Sequence, residues 1–163
     1  MQLLDDRRAT KGCMNPIGFQ RYRDRWVLCS TERVIGEGRI DAPPIRVLAW
    51  SDKSGLIEAL KELISEPQPV VPEPDWNHPR FKVGIRAEAV GLKSWRAFVK
   101  DARSFHLEGG EGGTLLLEEW PRQGGSFSAN RAWQRTFTAG AFEDVVEHLM
   151  SVTHEMPRSE TKP

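Results

Sequence analysis

No apolar run in this sequence approaches the ~18 residues that a membrane span requires, so the chain is not expected to cross a membrane. The opening stretch Met1-Gln2-Leu3-Leu4-Asp5-Asp6-Arg7-Arg8 holds acids and lacks the apolar core of ~7–15 residues that a secretory signal needs, which points to a cytoplasmic address. Cysteine is scarce: Cys13 and Cys29 belong to no Cys-x-x-Cys pair, which supports neither a zinc site nor a redox motif. Charge of one sign is missing too. Lys and Arg number 23 and Asp and Glu 23, a balance that argues against a dedicated nucleic-acid binder, which must displace counterions from phosphates.

Catalytic constellations are equally sparse. The four histidines, His78, His106, His148 and His154, have no metal-binding spacing with a glutamate between them, and no Gly-x-Ser-x-Gly elbow exists. His78 beside Asp75 is the one acid and base neighbourhood, and a small hydrolase built on it is the least favoured reading. The Gly-x-Gly of Gly36-Glu37-Gly38 leads to Pro43-Pro44 and not into a helix, so the backbone amides of a phosphate loop are missing. No cofactor or metal is expected.

What is present describes a scaffold. At 163 residues the chain suits one domain, placed at residues 19–156 between a flexible arm at 1–18 and a disordered tail at 157–163. Phe19 to Ser30 alternates as a strand, with Arg21, Arg23 and Arg25 on one face and Tyr22, Trp26 and Leu28 on the other. Ile45 to Trp50 follows as a strand, and Ser51-Asp52-Lys53-Ser54 caps a helix whose stripe is Leu56, Ile57, Leu60, Leu63 and Ile64. Phe81 to Ile85 alternates as another short strand. Trp95, Phe98 and Val99 share one side of a helical turn, and the glycine cluster 109–113 joins the strands Ser104 to Leu107 and Thr114 to Leu117 into a hairpin. Thr138 is placed to cap a last helix with the stripe Phe142, Val145, Val146, Leu149 and Met150. The two stripes match at an offset of 86 positions. The expected fold is therefore α+β: two strand-rich halves, each followed by an amphipathic helix packed on antiparallel sheet.

The linker 66–79 holds five prolines, three acids (Glu66, Glu73, Asp75) and no basic residue, and should run extended over the surface with Trp76 partly exposed. Glu118 and Glu119 are neighbours before Trp120-Pro121, and in a strand they point to opposite faces.

Gly36-Glu37-Gly38-Arg39 with Pro43-Pro44-Ile45-Arg46-Val47, the capped helix, Gly91-Leu92-Lys93-Ser94-Trp95 with Phe98-Val99-Lys100, and the glycine-bounded hairpin into Trp120-Pro121 together resemble the CdiI family. These are the immunity proteins of bacterial contact-dependent growth inhibition, here the branch whose fold is similar to the Whirly nucleic-acid-binding domain. The resemblance implies a Whirly-like fold and a cytosolic protein without enzymatic activity. Its partner would be the C-terminal toxin domain of its cognate CdiA effector, whose active site it blocks. Toxins of this branch are often similar to EndoU ribonucleases. Whirly proteins bind single strands through a lysine- and glycine-containing motif that has no counterpart here.

An RNA-cleaving toxin presents a basic substrate groove, so acidic residues beside a tryptophan are the expected contacts. Glu73, Asp75 and Trp76 of the linker and Glu118, Glu119 and Trp120 at the hairpin end fit that description. The alternative is a single-stranded nucleic-acid binder that uses Arg21, Arg23 and Arg25 as a basic sheet face.

Overall fold

The computed structural model describes residues 15–36, 38–129 and 133–154. Expectations for residues 1–14 and for the tail from 155 onward fall outside them. The chain forms an α+β domain. β1 (Ile17–Tyr22), β2 (Arg25–Val34) and β3 (Gly38–Ala49) make an antiparallel meander followed by helix α1 (Lys53–Ser65). The linker contributes β4 (Val70–Val71), and three short helices follow: α2 (Arg80–Val83), α3 (Ile85–Ala89) and α4 (Trp95–Lys100). β5 (Ala102–Gly109) and β6 (Leu115–Trp120) form the expected hairpin. A two-stranded flap, β7 (Arg122–Gln123) and β8 (Ser126–Phe127), precedes β9 (Trp133–Phe137) and helix α5 (Phe142–Val152).

Spatially the strands run β3-β2-β1-β5-β6-β9, so β1 and β5 join the two halves, while β4 lies parallel to the end of β2. Alternation along the strands gives the sheet two buried faces. On one, Ile17, Phe19, Trp26, Leu28, Phe105, Leu107, Leu115, Leu117 and Phe137 pack under α1 and α5, both of which lie on that side. On the other, Tyr22, Val27 and Ala102 pack with Ala87, Val90 and Phe98 from the short helices. The stripes predicted for the two long helices are the ones buried, with Ile57 and Met150 at their margins.

Four local expectations are corrected. The single strand from Phe19 to Ser30 is a hairpin: Arg23 takes a left-handed φ of 51°, and Arg23-Asp24 turn the chain between Tyr22 and Arg25, which are paired in register. Phe81 to Val83 is helical, and Ile85 opens the next helix after Gly84. Phe81 and Ile85 are four apart as well as alternating, and the helical period prevails because Pro79 starts the turn and Gly84 ends it. α5 begins at Ala141 without a side-chain cap, and Glu143 and Asp144 in its first turn complement the helix dipole instead of Thr138. Finally, Ile17 is 3% exposed and Asn15 donates its backbone N–H to the Ile64 carbonyl, so the chain enters the core before residue 19.

The arginine row has a structural use. Arg21 and Arg103 are register partners on β1 and β5, and both point at the C-terminal end of α5. Arg21 donates to the Thr153 carbonyl at 2.8 Å and its hydroxyl at 2.9 Å, while Arg103 donates to the Val152 carbonyl. α5 has no basic residue in its own last turn, so two sheet cations supply the charge that its terminal carbonyls favour. Burial lowers the Arg21 pKa to about 10, partly offset by Asp24, and the group stays charged at neutral pH. Arg23 pairs with Asp101 at 2.8 Å and Arg25 lies 3.8 Å from Asp24. The three arginines thus do not share one solvent-facing stripe, and the basic sheet face expected of a nucleic-acid binder is not formed by them.

Candidate functional site

The linker leaves α1 held at both sides. Ser30 donates to Glu66 at 2.9 Å, and Gln68 accepts from Arg39 at 2.8 Å and donates to the Pro16 carbonyl at 3.2 Å. Proline cannot donate, but Pro69 and Val71 accept from the backbone of Arg33 and Ile35, which makes β4 a one-sided strand addition. After Pro72 the chain tightens. The Asp75 carboxylate accepts from the Asn77 N–H at 3.0 Å, the Asp75 carbonyl accepts from His78 at 2.9 Å, and His78 Nδ1 accepts from the Arg80 N–H at 3.2 Å. Asp75 and His78 therefore serve the turn, and no hydrogen bond between their side chains forms the base pair a hydrolase would need.

This turn fixes Trp76. Its indole N–H donates to Glu73 at 3.0 Å and its ring meets Phe81 at 5.1 Å, with the Arg80 guanidinium 4.5 Å from the Phe81 ring on its other contact. Even so, Trp76 remains 45% exposed, and Glu73 and Asp75 beside it are exposed. A groove of about 360 Å³ lies alongside, lined by Ile40, Asp41, Pro43, Arg80, Phe81, Gly84 and Ile85. The three linker residues picked from the sequence are thus brought together, next to an apolar recess and in a fixed geometry.

One groove residue, Asp41, is held from behind by a buried arginine with no signature in the sequence. Arg86 is 3% exposed and donates to both Asp41 oxygens at 2.8 and 3.0 Å, to the Gly18 carbonyl at 2.7 Å and to Gln20 at 2.8 Å. Burial works to raise the Asp41 carboxyl, but Arg86 more than offsets it and the net pKa is lowered. Nearby Cys29 is pushed up to about 12 by burial, which leaves it a protonated, unreactive thiol.

The hairpin residues are arranged differently. Glu119 lies on the long-helix face in a bidentate pair with Arg103, at 2.6 and 2.7 Å. Glu118 and Trp120 lie on the opposite face, where Trp120 is half-buried and stacks on His106 at 4.8 Å. The buried Trp120 Nε1 and His106 Nδ1 have no hydrogen-bond partner among the described residues. Burial lowers the His106 pKa against the pull of Glu108 and Glu118, so the ring is neutral at pH 7. Glu119 and Trp120 also border a cleft of about 310 Å³ with Arg103 and Arg122. The expected acidic patch is therefore divided: Glu119 is neutralised, and only Glu118 shares a face with Trp120.

Sequence reasoning overlooked Trp133. It is 46% exposed, stacks on His148 at 5.0 Å with the planes 10° apart, and pairs in register with Glu119. Nothing in its local pattern distinguishes it from a core strand residue, because its exposure follows from β9 being the last strand of the sheet.

Among the described residues no cluster of His, Cys, Asp or Glu could hold a metal ion, and no helix is long and apolar enough to cross a membrane. No family model and no curated protein matches the sequence. A protein of unknown function from Neisseria meningitidis is similar in structure, with a TM-score of 0.59 and 11% identity over 88% of this chain and 98% of that one. At such identity the likeness shows the α+β fold alone.

Proposed function

We propose that this chain is an immunity protein that binds the C-terminal toxin domain of a CdiA effector in the cytosol and covers its active site, the toxin being a nuclease of the EndoU kind. The observation that carries the reading is Trp76: a large ring held by Glu73 and Phe81, still 45% exposed, flanked by acids and next to an apolar groove. A tryptophan fixed before binding loses little rotamer freedom on docking, and such residues dominate interface energies. Glu73 and Asp75 would face the basic groove in which a nuclease holds RNA, steering association. The family resemblance supplies the class of partner.

The test is calorimetric titration of the chain with the toxin domain encoded beside its gene, with a single-stranded RNA oligomer as comparison. One-to-one binding near nanomolar to the toxin and none to RNA is expected. Trp76→Ala should weaken it by about 30-fold or more, corresponding to about 2 kcal/mol. Glu73→Lys with Asp75→Lys should mainly slow association. Glu119 is left unchanged in these variants because its reversal would break the Arg103 pair. Binding to RNA alone overturns the reading, and unchanged toxin affinity in the folded Trp76→Ala variant overturns the placement.

A further inference from the structure

The sheet has two edges, and they are treated differently. β3 carries Pro43 and Pro44 in its middle, where the register with β2 shifts between Cys29 and Ser30, and proline on an edge blocks pairing by an added strand. β9 carries no proline, and its one safeguard is a charge, Arg135, which selects among added strands instead of blocking them all. Its five residues include no proline, glycine or lysine, four of them are exposed, and no described strand lies beyond it. Every second residue of an edge strand turns its N–H and C=O outward, which leaves a ready ladder for another chain.

The one charge on β9 says what can occupy that ladder. Arg135 sits at the strand's centre, between Trp133 and Phe137 on the same face. Its guanidinium touches the Phe137 ring and lies 3.1 Å from His148 Nδ1, and among the described residues no carboxylate is within ion-pair distance of it. Burial and Arg135 itself both lower the pKa of His148, against Glu119, so this ring is neutral and does not compete for an anion. A second copy of the chain added antiparallel about the centre of β9 would set Arg135 against Arg135, and like charges directly opposite are destabilising. An added strand of another protein with an acid at that position gains instead.

We propose that β9 is a strand-addition edge for an extended segment of a different polypeptide, carrying an acidic residue opposite Arg135 and an apolar residue opposite Trp133. Backbone hydrogen bonds would supply affinity, and the acid would fix the register. This surface is argued independently of the toxin reading and of the Trp76 site.

The probe is a pair of capped nine-residue peptides that alternate valine and threonine and carry either Glu or Lys at the centre, titrated to millimolar concentration into the full chain. Amide hydrogen exchange and backbone chemical shifts are followed by NMR. Protection of outward-pointing β9 amides by the Glu peptide is expected, with the Lys peptide at least ~10-fold weaker. Arg135→Glu should reverse that preference without altering the spectrum of β1 and β5. Absence of β9 protection, equal binding of the two peptides, or sedimentation as a dimer that Arg135→Glu dissociates would each overturn the proposal.

Discussion

Arg86 is the residue on which the short-helix side of the sheet depends. Its guanidinium reaches β3 through Asp41 and β1 through Gly18 and Gln20, so one side chain ties α3 to two strands. Removing Arg86 leaves the Gly18 and Gln20 oxygens without their donor and Asp41, 35% exposed at the groove, with solvent in place of its ion pair. Arg86→Met should therefore cost about 1–3 kcal/mol, and adding Asp41→Leu should restore part of it. Urea denaturation of the two variants checks this; a single variant that loses less than about 1 kcal/mol would show that the Gly18 and Gln20 oxygens find water or another donor. None of this could be read from the sequence, where Arg86 and Asp41 are two charges 45 positions apart. Trp76 and its acids were legible, because five prolines keep that segment at the surface whatever it packs against.

At the scale of elements, the joint between α2 and α3 positions the candidate site. Gly84 has φ of 90°, and a Cβ there would lie 3.3 Å from the Trp95 ring of α4. The left-handed turn lets Phe81 and Ile85 line the groove together while Trp95 closes on the backbone. Gly84→Ala should destabilise the fold by about 1–3 kcal/mol through backbone strain and displacement of the indole. Thermal unfolding followed by tryptophan fluorescence reads both effects, and an unchanged midpoint would place the strain elsewhere. α5 is the complementary case: its own sequence carries no cation for its C-terminus, and β1 and β5 provide Arg21 and Arg103 across the fold. Its stripe was visible from spacing, whereas its capping was not.

For the whole molecule, pH provides a test of how the two faces are sealed. His106 on one face and His148 on the other both have pKa values lowered first by burial, with Arg135 adding to the effect at His148. A folded-state pKa below the unfolded one means that the native state resists protonation. Stability from these groups is complete above the ordinary histidine value of 6.5 and is lost as pH falls below it. The urea midpoint should drop between pH 7.5 and pH 5, and the double variant His106→Phe/His148→Phe should flatten that slope. A wild-type midpoint that rises across the same interval would mean that neighbouring carboxylates, and not burial, set these rings. The two long helices behind one face were determined by the sequence itself: the stripes of α1 and α5 at helical spacing, the glycine-bounded hairpin and the proline linker each state a local preference that tertiary packing reinforces. Tertiary structure alone decided the rest, namely that Arg21 would be buried against α5, that Glu119 would be neutralised while Glu118 was not, and that Trp133 would stand on an open edge. The physical reason is that local patterns report which side of an element is apolar, whereas partners, edges and burial depend on which strands become neighbours, and that is set by contacts far apart in the chain.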